Sequence, residues 1–197
     1  MGYDAIVLAS ASARRSQLLD QIGVRHRIVA ADIDETPRAG ERPADYVARL
    51  AAGKAEAVVA AAAGRPDCPV LAADTTVVLG TRIFGKPECE AECVEMLTAL
   101  AGRTHEVLTA VALWHDGRLS RALSTSRVTF RAIDADECRN YWASGEPAGK
   151  AGGYAIQGLG AVFVERLQGS FSGVMGLPLF ETATLLDAAG VRCWQSP

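Results

Sequence analysis

The chain has 197 residues, of which 49% are hydrophobic and 22% charged, and its formal net charge at pH 7 is −3. This hydrophobic fraction excludes a disordered chain, and the slight acidic excess argues against a nucleic-acid partner while leaving room for a local basic pocket. The length suits one α/β domain. Because no Pro/Ser-rich linker or charge block divides the sequence, we expect a single domain over residues 1–197.

The sequence predicts a cytoplasmic protein without a membrane partner. Its longest uncharged stretches, 151–164 and 167–180, have 14 residues each and are too short to cross a bilayer. The first ten residues carry an early acid and no basic region, which does not fit a signal peptide. Five cysteines at irregular spacing favour reduced thiols over disulfides or a zinc site.

The first predicted elements are a strand at 5–8, a loop at 9–13 and a helix that follows Ser12 as its N-cap. This start places Arg14 and Arg15 in the first helical turn. A helix N-terminus already carries partial positive charge, so a cation there is unfavourable by roughly 0.3–1 kcal/mol. The same helix end offers backbone donors to an anion. We therefore expect an anionic ligand next to the two arginines.

Helices and strands alternate along the rest of the chain until a hairpin intervenes, which predicts an α/β domain with a mixed, twisted sheet flanked by helices. The predicted strands are 25–35, 69–80 and the two arms of a hairpin over 105–133 that turns at Asp116–Gly117. The predicted helices are 38–64, 90–102, 134–145 (with Asp134 as cap) and 179–190. A glycine-rich segment, 145–176, has no predicted element.

Two charged residues interrupt apolar patterns. Asp74 is the only charged residue within 69–81, and a carboxylate in a buried strand costs several kcal/mol unless it is paired, hydrogen-bonded or metal-bound. Lys54 lies on the apolar stripe of its predicted helix, four residues from both Leu50 and Val58. The alternatives are a structural Asp that caps a turn and a lysine whose ammonium reaches water from the edge of the core.

Three further polar residues are weaker candidates. Glu35 lies in "DIDETP" at the end of a predicted strand, where ligands of α/β proteins gather, although, taken alone, a charged loop that faces solvent explains it better. Lys86 belongs to a tight turn, "FGKP", after the Asp74 strand, and a lysine in a turn is usually just solvated. Gln157 lies in an apolar stretch and needs partners; a buried structural role and a base-reading role fit it equally.

Familiar nucleotide motifs are absent from the glycine-rich segment. "GEPAGKA", 145–151, has three spacer residues where a P-loop has four, and it lacks the Ser/Thr. "GLGAVF", 158–163, lacks the third glycine of a dinucleotide fingerprint, and no helix pattern follows it. The three histidines, His26, His105 and His115, fall in strand-like segments, where we expect them to pack or to face solvent.

Taken together, the candidates fit polyphosphate chemistry. The cations Arg14, Arg15, Lys54 and Lys86 occupy positions that fold stability does not require. The carboxylates of Glu35 and Asp74 can hold a hard divalent cation. A polyphosphate substrate needs cations for its oxygens and carboxylates for Mg²⁺ or Mn²⁺.

The motifs, in order, resemble the Maf family of nucleoside triphosphate pyrophosphatases over nearly the whole chain. They are "LASASARR", "DIDET", "GERPADYVARLAAGKA", "VLAADTTVVLG", "FGKP", "GRTHEVLTAVAL" and "GYAIQGLGAVFVERLQGSFSGVMGLPL". The resemblance implies an ITPase-like α/β fold with a cleft between two lobes, Mg²⁺ or Mn²⁺ as cofactor, a cytoplasmic location and often a homodimer. The implied reaction hydrolyses a nucleoside triphosphate to its monophosphate and pyrophosphate.

The resemblance also implies roles for individual residues. Asp74 is the expected proton acceptor, Glu35, Lys54 and Lys86 complete the catalytic set, and Glu35 and Asp74 are the expected metal ligands. The expected substrate-binding residues are Ser10, Ser12, Arg14, Arg15, Thr75 and Gln157. Among these, Arg14, Thr75 and Gln157 are associated with substrate choice, and the Thr-plus-Gln pattern resembles the subgroup that acts on dTTP and UTP.

Two positions depart from the family pattern. Ala13 stands where proline is usual, which affects loop stiffness, and Gly149 stands where the family usually has Asp, which puts a carboxylate role at that position in doubt. The alternatives are a nucleotide-binding regulator of septum formation or cell division with little turnover, and a pyrophosphatase that prefers purines.

Overall fold

The computed structural model describes residues 3–64 and 66–194, and seven strands lie within these ranges. They are β1 (Ile6–Leu8), β2 (His26–Ile28), β3 (Val70–Leu79), β4 (Arg82–Phe84), β5 (Thr104–His115), β6 (Arg118–Phe130) and β7 (Val164–Gln168). All belong to one sheet of order β2-β1-β3-β5-β6-β7, with β4 paired to β3. The β1 pairings are parallel and the others antiparallel, so the predicted mixed sheet is confirmed.

Helices cover both faces of this sheet, as expected for an α/β protein. They are α1 (Ala13–Gln21), α2 (Pro43–Ala61), α3 (Glu90–Leu100), α4 (Ala135–Ala143), α5 (Phe171–Met175) and α6 (Leu179–Ala188), with short 3-10 helices at Ala151–Gly153 and Leu159–Phe163. The core has three parts: one against α1 and α6, one against α2, and one under α3 and α4.

Local sequence signals account for several boundaries. Helix α2 begins with Pro43 at its first position, where the missing N–H costs nothing. Helix α4 has the predicted cap: the Asp134 carboxylate accepts from the Glu137 N–H at 2.8 Å, and Glu137 accepts in return from the Asp134 N–H. Asp116 and Gly117 both have positive φ, 47° and 76°, as a two-residue hairpin turn requires.

The cleft of the protein begins where the sheet divides along one edge of β3. Strand β5 pairs with β3 along 70–78. The other edge of β3 pairs with β1 only at 70–71 and with β4 only at 77–79. Residues 72–76 therefore have a neighbouring strand on one side only. Asp74 lies in the middle of this gap, between two lobes.

The structure corrects the predicted elements in three places. The predicted strand 25–35 is ordered as a strand only over β2, and the rest forms a loop. An additional strand, β4, follows β3 and ends at Phe84 within "FGKP", and residues 85–87 form no turn, so the predicted tight turn around Lys86 is wrong. The glycine-rich segment contains β7 and α5, which the sequence did not predict. The missed strands are short and take their places by pairing: β4 pairs with β3 across the turn at 80–81, and β7 pairs with β6, from which α4 and much of the glycine-rich segment separate it.

Among the helices that the structure describes, none combines the length and apolar character that a membrane-crossing segment needs. The single domain over 1–197 stays a prediction, since residues 1, 2, 65 and 195–197 lie outside the described ranges.

Candidate active site

The gap in the sheet opens into a cavity of about 490 Å³. All ten site residues predicted from the sequence line it: Ser10, Ser12, Arg14, Arg15, Glu35, Lys54, Asp74, Thr75, Lys86 and Gln157. We refer to the wall made by Glu35, Lys54, Asp74 and Lys86 as the charged side. The wall made by residues 145–160, which contains Gln157, is the glycine-rich side.

An ammonium held between two carboxylates forms the centre of the charged side. Lys54 Nζ, from α2, lies 2.7 Å from Asp74 Oδ1 of β3 and 2.6 Å from Glu35 Oε1. The side chains of Lys54 and Asp74 are each 10% exposed. The turn-capping alternative for Asp74 and the water-reaching alternative for Lys54 are therefore wrong, because the two side chains pair with each other inside the protein.

The two carboxylates differ in proton affinity. Burial raises the pKa of Asp74 above its ordinary value, and the charges of Lys54 and Arg15 offset this only in part. Burial acts in the same direction on Glu35, but the hydrogen bond and charge of Lys54, assisted by Lys86, outweigh it and hold the pKa of Glu35 below the ordinary value. Asp74 is thus the better proton acceptor of the pair.

Lys86 completes the charged side from its rim. Its Nζ lies 3.7 Å from Glu35 Oε2, and its side chain is 60% exposed. Such an exposed pair contributes little to stability, which leaves the ammonium available to a ligand. Glu35 is therefore paired rather than simply solvated, although its side chain is 42% exposed.

Arg15 has a structural role that the sequence did not indicate. It is buried, and its guanidinium donates to the Gly176 carbonyl at 2.8 Å, to Ser10 Oγ at 3.0 Å and to Thr75 Oγ1 at 3.3 Å. Burial lowers its pKa, yet a guanidinium remains charged in proteins. The expectation that fold stability does not require Arg15 is wrong, since it joins α1 to the end of α5.

Arg14 is the more accessible of the two arginines. It is half-buried, and its Nε donates to the Met175 carbonyl at 3.2 Å. That bond fixes the guanidinium at one nitrogen, and Arg14 lines the cavity. Ser12 occupies the N-cap position without capping through its side chain, and its N–H donates to Ser10 Oγ at 3.2 Å.

Thr75 belongs to a chain of hydrogen bonds on the face of β3 opposite Asp74. Thr109 Oγ1 donates to the Gly173 carbonyl at 2.8 Å, so it accepts from Thr75 Oγ1 at 2.9 Å. Thr75 in turn accepts from Arg15. Because its one hydroxyl proton is used internally, Thr75 can offer a ligand only an acceptor lone pair.

Gln157 is exposed in the cavity wall. The alternative that it is a buried structural glutamine is therefore wrong. Gly149, at the departure from the family pattern, is also exposed in this wall with φ +70° and open space where a Cβ would lie. A side chain at position 149 would have space but would require a backbone conformation that residues other than glycine rarely adopt, and this chain places no carboxylate there.

The sequence analysis missed the residues that hold the Glu35 loop. Tyr46 donates its hydroxyl to the Glu35 carbonyl at 3.0 Å. Arg49, one turn further along α2, binds both carboxylate oxygens of Glu41 at 2.6 and 2.7 Å and also donates to the Thr36 carbonyl. The i, i+3 spacing of Tyr46 and Arg49 on α2 is the signal that could have identified this contact.

Lys150, which lies in "GEPAGKA", was not among the site residues predicted from the sequence. It lines the cavity, and burial, together with the nearby charge of Arg14, lowers its pKa. Two cations brought together in a cleft are stabilised by an anion between them.

Comparison with known protein families shows the family to which this chain belongs. The profile described as "Maf-like protein" matches residues 5–189. The chain belongs to the Maf family. Two curated Maf relatives, from Saccharophagus degradans and Cupriavidus pinatubonensis, are each 52% identical, over 97% and 96% of this chain and 91% and 99% of their own, and both are named dTTP/UTP pyrophosphatase. "The structure of the Staphylococcus aureus Ham1 protein" matches with a TM-score of 0.46 and 18% identity over 64% of this chain and 71% of that chain.

The Maf motifs quoted above converge on the cavity although they are far apart in sequence. "SASARR", "DIDET", "GKA", "AADT", "GKP" and "AIQG" each contribute at least one lining residue. The motifs that carry the resemblance in the sequence are thus brought by the fold to one cavity.

Proposed function

We propose that this protein is a nucleoside triphosphate pyrophosphatase that hydrolyses dTTP and UTP to the monophosphate and pyrophosphate. The observation that carries the proposal is the Lys54 ammonium between Asp74 and Glu35, inside a cleft that Arg14, Lys86 and Lys150 also line. A triphosphate needs this combination of cations and carboxylates. The names of the Maf relatives, at 52% identity over nearly the full chain, support the same reaction.

Glu35 and Asp74 suit a divalent cation, Mg²⁺ or Mn²⁺. Their carboxylates already approach one cation, the Lys54 ammonium, from two sides. Within residues 3–64 and 66–194 no group of three His, Cys, Asp or Glu side chains surrounds a common point. The two carboxylates of Glu35 and Asp74 are a suitable donor set for an ion that takes one or two protein carboxylates and completes its shell with phosphate oxygens and water. Such an ion would supply Lewis acidity at the phosphate oxygens.

In the proposed reaction, a water attacks the α-phosphorus and the oxygen that bridges the α- and β-phosphorus atoms leaves with pyrophosphate. Asp74 takes the proton of the attacking water. The raised pKa that burial causes in Asp74 brings it closer to the operating pH, where a general base is most effective. Lys86 neutralises charge on the leaving pyrophosphate, while Arg14 and Lys54 bind the triphosphate oxygens.

Selection of the base is assigned to Gln157 and Thr75. The exposed amide of Gln157 offers both a donor and an acceptor, and Thr75 offers an acceptor for a base N–H. A pocket that hydrogen-bonds its substrate discriminates strongly against a base that leaves those groups unpaired. Ser10 accepts from the Ser12 N–H and from Arg15, which shapes the loop before α1, and Arg15 adds fixed positive charge beside the triphosphate.

The regulator without turnover is not favoured, because the relatives are named as enzymes. We further infer a cytoplasmic protein that acts on a small nucleotide, without a nucleic-acid or membrane partner, and that can form a homodimer. All five cysteines are free thiols, which fits a reducing compartment.

The decisive experiment is a nucleotide panel. Purified protein with Mg²⁺ or Mn²⁺ is mixed separately with UTP, dTTP, CTP, ATP, GTP and their methylated forms, and pyrophosphate, orthophosphate and nucleotide products are quantified. We expect pyrophosphate with UMP or TMP, and little product from the purine nucleotides.

Three outcomes contradict the proposal. Release of orthophosphate places the cleavage between the β- and γ-phosphates. Faster hydrolysis of purine nucleotides than of UTP and dTTP shows that the substrate class is purine, not pyrimidine, nucleotides. Tight UTP binding by calorimetry without any product restores the regulator.

A further inference from the structure

Gln157 has an exposed side chain, so its position depends on the backbone that carries it. That backbone begins at residue 155, directly after the buried Tyr154, and ends at residue 160, within the first turn of the 3-10 helix Leu159–Phe163. Two side chains from outside the segment bind it, Glu146 and Tyr141, and neither was among the residues predicted from the sequence.

Glu146 lies beneath the turn that follows Gln157. Its Oε2 accepts from the Leu159 N–H at 3.0 Å, and its Oε1 accepts from the Gly160 N–H at 2.9 Å. A Cβ at Gly158 would lie 2.0 Å from Glu146 Oε2. The carboxylate therefore takes the space that any other residue at 158 would fill, which explains why glycine directly follows Gln157.

Tyr141, on α4, connects this carboxylate to the other end of the segment. Its hydroxyl donates to Glu146 Oε1 at 2.6 Å and accepts from the Ala155 N–H at 3.0 Å. A Cβ at Gly160 would lie 2.6 Å from the same hydroxyl. One phenol and one carboxylate thus bind three backbone N–H groups that bracket Gln157 on both sides.

We propose that Glu146 and Tyr141 are positioning residues for base selection, which act through the backbone of residues 155–160 to place the amide of Gln157 in the cleft. The proposal rests on the pyrimidine triphosphate pyrophosphatase activity proposed above. The ligand concerned is the pyrimidine base of the nucleotide. The side chains themselves stay behind the segment, so they do not touch the substrate.

The geometry indicates which substitutions separate positioning from stability. Tyr141→Phe removes only the hydroxyl and keeps the ring, which packs edge-to-face on Phe163 with ring centroids 5.1 Å apart. Glu146→Gln keeps the shape but replaces one acceptor oxygen with an N–H donor, so at least one of the three donors facing it becomes unpaired.

A matched control lies at the other end of α4. Glu137→Gln is the same chemical change as Glu146→Gln. Like Glu146, the Glu137 carboxylate accepts from a backbone N–H, that of Asp134, and it also accepts from Arg131. Glu137 is at the start of α4 and is not part of the cavity wall. The Glu137→Gln variant should therefore have a lower free energy of unfolding than the wild type and the same preference between bases.

The test measures kcat/KM for UTP and for CTP in the wild type, in Tyr141→Phe, Glu146→Gln, Glu137→Gln and Gln157→Ala, and in the double variant Tyr141→Phe/Gln157→Ala. We expect the UTP-to-CTP ratio to fall about 10- to 100-fold in Tyr141→Phe and Glu146→Gln, because a small displacement of a recognition group removes most of its discrimination. In the Gln157→Ala background, Tyr141→Phe should change the ratio less than about twofold, since effects that act through one group are not additive.

The inference is overturned if Tyr141→Phe and Glu146→Gln lower the midpoint of unfolding but keep the wild-type ratio while Gln157→Ala changes it. That result leaves the proposed function intact and makes the two residues purely structural. A ratio unchanged in Gln157→Ala overturns it too. A wild type that releases no pyrophosphate overturns the proposed function and this inference together. Should Glu146→Gln fail to fold, the milder Tyr141→Phe and its double variant decide the matter.

Discussion

On the charged side of the cleft, the side chains of Lys54, Asp74 and Glu35 hold one another by direct ion pairs. On the glycine-rich side, Gln157 is exposed and only the backbone around it is bound, by Glu146 and Tyr141. The groups proposed for chemistry are thus fixed through charge, and the group proposed for base choice is fixed through main-chain geometry.

This difference has a physical reason. Burying an unpaired charge is costly, so the cations and carboxylates that are proposed to bind a triphosphate pair with one another while no ligand is bound. A base carries no charge, and an uncharged amide needs no compensation while it faces solvent. Its position must then come from the backbone, which glycines allow to approach the supporting side chains.

Replacing Asp74 should produce the largest effect on activity. Asp74→Asn removes the proposed general base, and kcat should fall about 10²- to 10⁴-fold. The fold should persist, because Asn keeps an acceptor for Lys54 and burial already disfavours the Asp74 charge. Steady-state pyrophosphate release and circular dichroism give the two readouts, with the exposed Asp187→Asn as control. If Asp74→Asn keeps the wild-type rate, Asp74 is not the general base and the proposed reaction on the charged side is wrong.

Breaking the central ion pairs should affect stability as well. Lys54→Met removes the ammonium that lies between Asp74 and Glu35, and we expect it to lower the free energy of unfolding by about 3 kcal/mol, the lower end for a broken buried pair. Lys86→Met removes an exposed cation from the same Glu35, and the loss should stay within about 1 kcal/mol. Urea unfolding at neutral pH measures both variants. Equal losses would show that the charged side is not held by its buried pairs.

The smallest effect should come from the loop that carries Glu35. The hydrogen bonds of Arg49 lower the pKa of Glu41 from its ordinary 4.5 to about 2. Because this folded-state pKa is depressed, Glu41 contributes stability above about pH 4.5, and that contribution is lost as the pH falls toward 2. Glu41→Gln should therefore melt earlier than the wild type near neutral pH, and the difference should narrow below pH 4.5.

Activity adds a second check on the same variant. KM for UTP should rise by less than about tenfold in Glu41→Gln, since Tyr46 still holds the Glu35 carbonyl. A melting difference independent of pH would mean that the Arg49–Glu41 pair does not hold the loop. A large fall in kcat would mean that the charged side depends on its loop as much as the glycine-rich side depends on its backbone.

The charged side could be predicted from the sequence because its residues violate local patterns. Asp74 interrupts an apolar strand and Lys54 interrupts an apolar helical stripe, and the structure pairs them at 2.7 Å. The supports of the glycine-rich side could not be predicted this way. Glu146 and Tyr141 are ordinary residues for a turn and a helix, and the glycines that they require look merely flexible when read alone.

By itself, the sequence determined the elements whose signals are local: the stripe of α2, the apolar run of β3, the Asp116–Gly117 turn, the Asp134 cap and the misplaced charges. The tertiary structure alone decided which of these meet. It left the gap along β3 between β1 and β4, bound Arg15 to a carbonyl 161 residues away, and placed Glu146 against Gly158. Periodicity and capping act over a few neighbouring residues, whereas these contacts follow from packing between distant segments, which no local pattern encodes.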